Sequence, residues 1–481
     1  MTMGTSTCCM ENLESRRLMS ATVGFGEAEP FALDPSHQAT TIYGPWASDG
    51  AGKAVRHLGY GKIAIYSQLD SATPGAGVTR DLGIPGMAGM ALNSRGELAV
   101  TWSQFGVRTG SGQSEELFVR VYKIGSGNTV SPVTAAISVA KVREESEIGE
   151  FPPVGIDGNG NVTVIWSQKG TTDMDIMSRR LVRSATGSYT LQKSATVVNS
   201  VTAGSQYQPR LAVHADGKAI VGWSTYTSDT KPVPFHTQML NATGGRIGSE
   251  VKITDLQQAW STSLAADPSN GGFAVAWQHQ REDVSASTTQ RHVIRAQRFS
   301  ASSAPLTGAL EVTSDSADPA VRGVSKIGGV AVGSTGDVTV TYSQWRVKSQ
   351  EMVVLDGEEY VYRVDRFQAV AAHLPSNGVA FASLAAGETE GHRYLYPGTT
   401  RTAKPTTGSR IEEVAPLAVR PGQVLVPFRV YPYVDGSAFE ASYTYARTLV
   451  PVTHTSQSLF SQSTIAAEDD EQASVADTVL V

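Results

Sequence analysis

Short apolar runs alternate with turn-forming residues along most of the chain, and the same arrangement returns seven times. In each copy a glycine is followed by strand-forming residues and then by an aromatic residue. The offset is six residues in six copies and five in the first copy, from Gly61 to Tyr66. The regular pairs are Gly96 and Trp102, Gly160 and Trp166, Gly217 and Trp223, Gly271 and Trp277, Gly336 and Tyr342, and Gly422 and Phe428.

The copy around Trp166 illustrates what this pattern predicts. Its segment 162–165 is rich in β-branched residues, which pack well on a pleated surface. The preceding segment 157–160, Asp-Gly-Asn-Gly, tolerates the positive φ angles of a tight turn. Another apolar run, 154–156, precedes that turn. Each copy is therefore predicted to be a β-hairpin whose mostly apolar strands lie inside the structure.

A more polar strand, often containing arginine, follows each hairpin; examples are 117–122, 176–181, 293–299 and 360–367. From Trp102 onwards, successive aromatic residues are 54 to 86 positions apart, which leaves room for about four short strands. The sequence therefore predicts an all-β fold, a β-propeller with seven four-stranded blades. Six or eight blades, a β-sandwich array and a β-solenoid are the alternatives.

Two irregular spacings modify this prediction. The first gap is only 36 residues, so we expect the first copy to receive its outer strands from the other end of the chain, near 439–449. The last gap predicts an insertion near 371–410. It contains His392, Arg393, Tyr394 and Tyr396. Long loops on a rigid scaffold often bind ligands; a disordered bulge is the alternative.

Composition restricts the class of protein. The 481 residues include 39 basic and 45 acidic residues, for a net charge of −6, which argues against a nucleic-acid surface. The two cysteines, Cys8 and Cys9, are adjacent and cannot crosslink the repeats. No apolar run is long enough for a transmembrane helix. We expect one large repeat domain at 51–454. We also expect the protein to be a monomer and to bind no nucleic acid.

The N-terminal region does not belong to the repeat. The segment Leu13-Glu14-Ser15-Arg16-Arg17-Leu18-Met19-Ser20 resembles the Leu-Glu-x-Arg-x-Leu-Leu-Ser segment of exported planctomycete proteins. This resemblance implies sorting to the cell surface or the extracellular space. We expect a sorting segment at 1–21, an irregular lead-in at 22–50 and a disordered acidic tail at 455–481.

Established catalytic motifs are missing. The sequence has no Gly-x-Ser-x-Gly elbow, no His-Glu-x-x-His motif and no phosphate-binding loop. The oxygen-bearing residues of segment 157–161 begin a calcium-loop pattern, but no acidic residue follows in 162–166, and a hairpin turn explains the segment. The acidic residues that follow second strands are Asp173, Asp175, Glu282 and Asp283. No catalytic, cofactor-binding or metal-binding residue is predicted.

Four copies end in an aromatic residue followed by Ser-Gln, as at Trp102 and Trp166. Either these aromatics form a sugar-binding ring, or they pack between sheets while Ser and Gln satisfy the turn backbone; the constant offset favours packing. The expected function is a non-enzymatic secreted or cell-surface binding or scaffold protein, with a protein or glycan at the loop face. The alternative is a carbohydrate-active enzyme, a glycoside hydrolase or lyase, that uses loop carboxylates near the central channel.

Overall fold

The computed structural model describes residues 31–34, 46–69, 77–86, 88–106, 114–143, 148, 151–170, 172–227, 233–253, 262–280, 292–313, 321–376, 382–397, 402–414, 417–420, 423–434, 437–438 and 443–449. In these residues the fold is all-β, with antiparallel sheets and a single 3-10 turn at Ser126–Asn128. The predicted N-terminal sorting segment, 1–21, and the predicted acidic tail, 455–481, lie outside the described residues.

The first strand, β1 (Phe31–Asp34), belongs to the last sheet. Sheet one has the order β2-β3-β4-β5, with strands β2 (Trp46–Ser48), β3 (Ala54–Gly59), β4 (Lys62–Tyr66) and β5 (Val78–Asp81). Sheet two consists of β6 (Gly89–Leu92), β7 (Glu97–Phe105), β8 (Ser114–Ile124), β9 (Val130–Pro132) and β10 (Ile137–Arg143). Sheet three consists of β11 (Val154–Ile156), β12 (Val162–Lys169), β13 (Met174–Arg183), β14 (Tyr189–Leu191) and β15 (Thr196–Val197).

The remaining sheets follow in chain order. Sheet four has β16 (Ser205–Val213), β17 (Ala219–Tyr226), β18 (Phe235–Leu240) and β19 (Arg246–Ile253). Sheet five has β20 (Thr262–Ala266), β21 (Phe273–Gln280), β22 (His292–Phe299) and β23 (Leu310–Glu311). Sheet six contains β1 with β24 (Val321–Val332), β25 (Val338–Leu355), β26 (Glu358–Leu374), β27 (Ala382–Leu395), β28 (Thr402–Val414), β29 (Leu417–Arg420), β30 (Gln423–Val434), β31 (Ser437–Ala438) and β32 (Tyr443–Leu449).

All seven predicted hairpins are present as antiparallel strand pairs, but the first is not equivalent to the others. The turn at Gly61 joins β3 to β4, the second and third strands of sheet one. The equivalent turn is 49–53, which joins β2 to β3. There Asp49 Oδ1 accepts hydrogen bonds from the backbone of Ala51 and Lys53, as Asn93 Oδ1 does in sheet two. This copy was missed because Leu58, not an aromatic residue, stands six positions after its glycine, Gly52.

The apolar core lies between the sheets. Separate clusters of buried side chains join sheets one and two, two and three, three and four, four and five, and five and six. The predicted packing of the repeated tryptophans is confirmed: Trp102, Trp166, Trp223 and Trp277 are at most 3% exposed. The repeat therefore encodes stacked sheets, because a two-sided apolar strand needs a neighbour on each face.

The innermost strands contact one another in a closed succession. The strands β2, β6, β11, β16, β20, β24 and β29 each contact the next, and β29 contacts β2. The first and last described strands pair in sheet six, where Phe31 of β1 lies opposite Ala446 of β32. We expected C-terminal strands to complete the first sheet. Instead the N-terminal strand β1 pairs with β32 in the last sheet. The expectation was therefore wrong about which end of the chain contributes a strand to the sheet of the other end.

Two expected irregular regions contain strands. The lead-in at 22–50 includes β1 and β2, because short strands with few residues give little alternation to detect. The insertion near 371–410 includes the end of β26, all of β27 and most of β28. Within the described residues no helix has the length and apolar character needed to span a membrane.

Candidate functional site

A hairpin extension of sheet six distinguishes it from the other sheets. β25 and β26 pair as far as Leu355 and Glu358, with one register shift between Val347 and Ser349, whereas the pairing of β25 with β24 ends at Arg346. The turn at its end has positive φ at Asp356 (55°) and Gly357 (81°), as an Asp-Gly hairpin turn requires. We call residues 345–367, together with 388–395 of the paired strand β27, the arm.

One surface of the arm, here called its polar face, carries a hydrogen-bonded tyrosine–histidine pair. Tyr362 Oη lies 2.7 Å from Nδ1 of His392, and the two rings are stacked with centroids 6.0 Å apart. The ring of Tyr394 lies 5.0 Å from that of Tyr362. The tautomer of His392 decides which of the two groups donates this hydrogen bond.

A charged cluster lies beside this pair on the same face. Arg366 Nε is 3.0 Å from Glu388 Oε1, and its Nη2 is 3.5 Å from Glu390 Oε1. Lys348 Nζ lies 2.7 Å from the same oxygen of Glu390. Arg346 lies directly opposite Arg366 on the neighbouring strand. Two like charges placed opposite each other repel. The carboxylates of Glu388 and Glu390 pair with Arg366, which leaves Arg346 as the cation without an ion pair among the described residues of this face.

The opposite face of the arm is held by a buried carboxylate. Asp365 is 0% exposed, with Arg363 Nε 2.6 Å from its Oδ1 and Arg393 Nε 2.8 Å from its Oδ2. The guanidinium of Arg363 also lies 5.2 Å from the centre of the Trp345 ring, a cation–π distance. Since Arg393 adjoins His392 and Tyr394, this clamp fixes the register of β27 on which the polar face depends.

The pKa values of the titratable groups on the arm are shifted in different directions. Burial raises the pKa of Tyr362, and the neighbouring Tyr394 and Glu351 add to the effect, so its hydroxyl is protonated at neutral pH. Burial acts to raise the pKa of Glu390, but Lys348 and Arg366 hold it below its usual value. Farther out, the hydrogen bond to Glu358 raises the pKa of Tyr360 to about 12.

The structure places the predicted insertion residues on a strand. His392, Arg393 and Tyr394 lie on β27, and Tyr396 follows its end. His392 and Tyr394 contribute to the polar face and Arg393 to the clamp. Sequence reasoning missed their partner, Tyr362, although the Asp356-Gly357 turn signal could have located the hairpin that carries it.

The other sequence candidates are not gathered at this site. Asp175 accepts a hydrogen bond from Asn199 Nδ2 at 2.8 Å, and Asp173 lies in the turn before β13. Glu282 and Asp283 lie outside the described residues. Asp157 of the calcium-like loop accepts two backbone N–H groups and faces Arg180 Nη2 at 3.5 Å, as a hairpin turn requires. No group of metal-binding side chains occurs in the part of the chain that the structure describes.

The Ser-Gln residues after the aromatics behave differently from the expectation. Gln168 accepts a hydrogen bond from Trp166 Nε1 at 3.0 Å, and so binds the indole and not the turn backbone. The hydroxyls of Ser167 and Ser343 are buried without a partner among the described residues. Ser167 and Ser343 lie within β12 and β25, which continue to Lys169 and Leu355, so these side chains are not placed at turns.

Solved structures that resemble this chain are carbohydrate-active enzymes. The polysaccharide lyase Uly1 is 10% identical over 92% of this chain and 95% of its own, with a TM-score of 0.41. A polysaccharide lyase described as an ulvan lyase is 11% identical, covers 87% and 97%, and has a TM-score of 0.42. An exo-β-1,3-galactanase from Phanerochaete chrysosporium is 12% identical, covers 89% and 96%, and has a TM-score of 0.29. The sequence matches no protein-family model and no curated protein.

These comparisons contradict the expected function, a non-enzymatic binding or scaffold protein. At low sequence identity, the resembling proteins are polysaccharide lyases and glycoside hydrolases, which favours the alternative reading. The expectation rested on the repeated hairpins, which specify a scaffold, and a scaffold alone does not determine function. In the residues that the structure describes, the chain is an all-β protein of antiparallel sheets.

Proposed function

We propose that this protein is an extracellular carbohydrate-active enzyme, a polysaccharide lyase built on a seven-bladed β-propeller. The observation that carries the proposal is the hydrogen-bonded pair of Tyr362 and His392, 2.7 Å apart, beside the cations of the polar face. Proton transfer, an aromatic surface and a site for an anionic group are the requirements for eliminating a uronic-acid polysaccharide.

The blade number is supported by the closed succession of seven inner strands, β2 to β29. The pairing of β1 with β32 supports closure of a ring by the two chain ends. Sheet six would then contain two blades joined through β27 and β28. Averaged electron-microscope images viewed along the channel would display seven radial densities; six or eight would contradict this count.

The proposed elimination assigns one proton to each step. Tyr362, after passing its proton to His392, accepts the proton from the sugar carbon next to the carboxylate. The electrons of that C–H bond form a carbon–carbon double bond, and the electrons of the C–O linkage leave with the departing oxygen. Tyr362 then donates that proton to the departing oxygen, and His392 returns its proton to Tyr362. Arg346 and Arg366 face the substrate carboxylate, whose charge increases during the reaction.

Hydrolysis by paired carboxylates suits this surface less well. Such hydrolases need one protonated carboxyl group to donate to the leaving oxygen, and a buried, apolar environment normally provides it. Here Glu388 is paired with Arg366, and Lys348 and Arg366 lower the pKa of Glu390. Neither carboxylate has the surroundings of a proton donor.

The test is cleavage of a panel of acidic and neutral polysaccharides by the full chain. Elimination generates new reducing ends together with the ultraviolet absorbance of an unsaturated sugar, whereas hydrolysis generates reducing ends alone. We expect both signals on an acidic polysaccharide. Reducing ends without ultraviolet absorbance would contradict the lyase and indicate a hydrolase. No cleavage of any polysaccharide in the panel would contradict the enzyme proposal.

The extracellular location is supported by the resemblance of segment 13–20 to planctomycete export segments. Expression in a planctomycete host would test it, with the full chain compared with a chain lacking 1–21. Export of the full chain and cellular retention of the shortened chain are expected. Equal export of both would contradict a sorting role for the segment.

A further inference from the structure

Arg210 occupies an unusual position in the seam between sheets four and five. It lies on β16, four residues before the first residue of the hairpin turn, His214. The equivalent positions in sheets two, three, five and six are Gly89, Pro153, Ser263 and Gly329. A long cationic side chain is therefore not a requirement of the repeated scaffold.

A β-bulge places Arg210 and Tyr207 on the same face of sheet four. Tyr207 lies opposite Ser224, and Arg210 lies opposite Gly222, so two residues of β16 face one residue of β17 between them. Gln208 in the bulge has a φ of 54°, a left-handed conformation that is costly for a residue with a side chain. Without this extra residue, Tyr207 and Arg210 would point to opposite faces.

The charge of Arg210 is not neutralised by any described residue. Its Nε and Nη1 donate to the backbone carbonyls of Thr262 and Pro209, both at 3.3 Å. It forms no ion pair with a carboxylate in the described chain, and burial lowers the pKa of its guanidinium. A cation held only by long hydrogen bonds to carbonyls retains most of its desolvation cost.

The seam around Arg210 is rich in donors. Ser224, on the same face, has a buried hydroxyl with no partner among the described residues. Trp277 lies opposite Thr262 in sheet five, and its indole Nε1 is also buried without a described partner. The preceding seam has the same pair, Ser167 and Trp223, but carries Pro153 at the position of Arg210. Arg210 therefore adds a positive charge to a repeated pair of unsatisfied polar groups.

Tyrosine rings border the outer end of this seam. Tyr207 and Tyr226 make an edge-to-face contact with centroids 5.6 Å apart, and Tyr226 is 38% exposed. From these observations we propose that the seam around Arg210 binds an oxyanion, a carboxylate or sulfate group. The group is supplied either by a free anion or by an acidic sugar that rests on the tyrosine pair. This site is separate from the arm, and its test does not depend on enzymatic activity.

Calorimetric titration of the full chain with sodium sulfate and with sodium glucuronate tests the site, with sodium chloride controlling for ionic strength. We expect both oxyanions to bind and Arg210→Gln to weaken binding by about tenfold or more, since charged hydrogen bonds are lost. The matched control is Arg246→Gln, which removes the same charge from an exposed residue of β19 in the same sheet. It should bind both anions like the unmodified protein. Tighter binding of glucuronate would identify an acidic sugar as the source, and tighter binding of sulfate a free anion.

The unfolding temperature gives a second test, because the difference between Arg210→Gln and the unmodified protein should change sign when anion is added. Arg210 is partly buried and forms no ion pair with a described carboxylate. Removing its charge should therefore not destabilise the anion-free protein, and Arg210→Gln should match or exceed its unfolding temperature in low salt. With either anion present, the unmodified protein should become the more stable of the two. Unchanged anion affinity in Arg210→Gln, or an equal loss of stability with and without anion, would overturn the proposal. If that variant does not fold, Arg210→Lys replaces it, and an affinity equal to that of the unmodified protein would be equally contradictory.

Discussion

Nδ1 of His392 lies 2.7 Å from the hydroxyl of Tyr362, although thirty residues separate them in the chain. The contact exists because β26 and β27 pair antiparallel, with Tyr362 opposite Tyr394 and Val364 opposite His392. The long β25–β26 hairpin extends this pairing beyond the strands that the repeat specifies. The tyrosine–histidine pair is thus a property of the arm and not of the repeated scaffold.

The arm should depend on its buried carboxylate. Replacing Asp365 with Asn leaves Arg363 and Arg393 without a counter-charge, and breaking a buried pair typically costs about 3 kcal/mol. We expect faster limited proteolysis within the arm and a lower unfolding temperature. Glu359→Gln, an exposed change on the same strand, should behave like the unmodified protein. Equal proteolysis of both variants would exclude a role for Asp365 in fixing the arm.

Sheet four should lose stability in acid through Glu250. Burial acts to raise the pKa of Glu250, but hydrogen bonds from His236 and from Ser200 lower it to about 2. Because the folded pKa lies below the unfolded value of about 4.5, this stabilisation is complete above that value and is lost as the pH falls toward 2.

The variant Glu250→Gln isolates this contribution. Its unfolding temperature should lie below that of the unmodified protein at pH 6, and the gap should narrow as the pH falls from 4.5 toward 2. Unfolding followed by circular dichroism across this range measures the gap. A gap that stays constant with pH would mean that the glutamine disturbs packing and that the charge of Glu250 is not responsible.

The repeated tryptophans should dominate the stability of the sheet stack. Trp166 is 1% exposed between sheets two and three, and Trp166→Ala should cost about 3 to 5 kcal/mol through the cavity that it leaves. Phe105→Ala serves as the control because Phe105 is 64% exposed; its effect should stay within about 0.5 kcal/mol. Urea unfolding compares the two, and similar losses would contradict the assigned packing.

Two parts of the N-terminal region, 1–21 and β1, should contribute unequally to stability. Deleting 1–21 removes none of the described strands and should leave the unfolding temperature unchanged. Deleting 1–34 also removes β1, which exposes the edge of β32, so we expect a lower unfolding temperature and a tendency to aggregate. If the longer deletion is as stable as the shorter one, β1 does not contribute to closure.

Much of the scaffold could be predicted from sequence, because each hairpin combines an apolar run, a positive-φ turn and a buried aromatic within a short segment. The position of the first hairpin was wrong since Gly61 and Tyr66 imitate the pattern, while Leu58 interrupts it at the true copy. The sequence indicated that segments from the two ends of the chain would share a sheet, but it did not indicate that β1 pairs with β32. Contacts between distant segments leave no local signal in the sequence.

The candidate sites were harder to predict. His392 and Tyr394 drew attention because they interrupt a polar stretch, but nothing near them indicates Tyr362, which depends on the register of β26 against β27. Arg210 resembles any other strand arginine until its missing counter-charge is visible in three dimensions. Side-chain partnerships between separate strands are set by register, and hydrophobic patterns specify register only where one face is buried.

The most direct test of the proposed chemistry is the rate at which Tyr362→Phe cleaves the best acidic polysaccharide. The phenylalanine keeps the ring stacked on His392 and removes only the hydroxyl, so we expect kcat to fall at least about 100-fold, the usual contribution of general acid–base catalysis. KM should change little. Tyr360→Phe, the same chemical change two residues away, should retain activity. Full activity in Tyr362→Phe, or an equal loss in both variants, would contradict the role of the tyrosine–histidine pair.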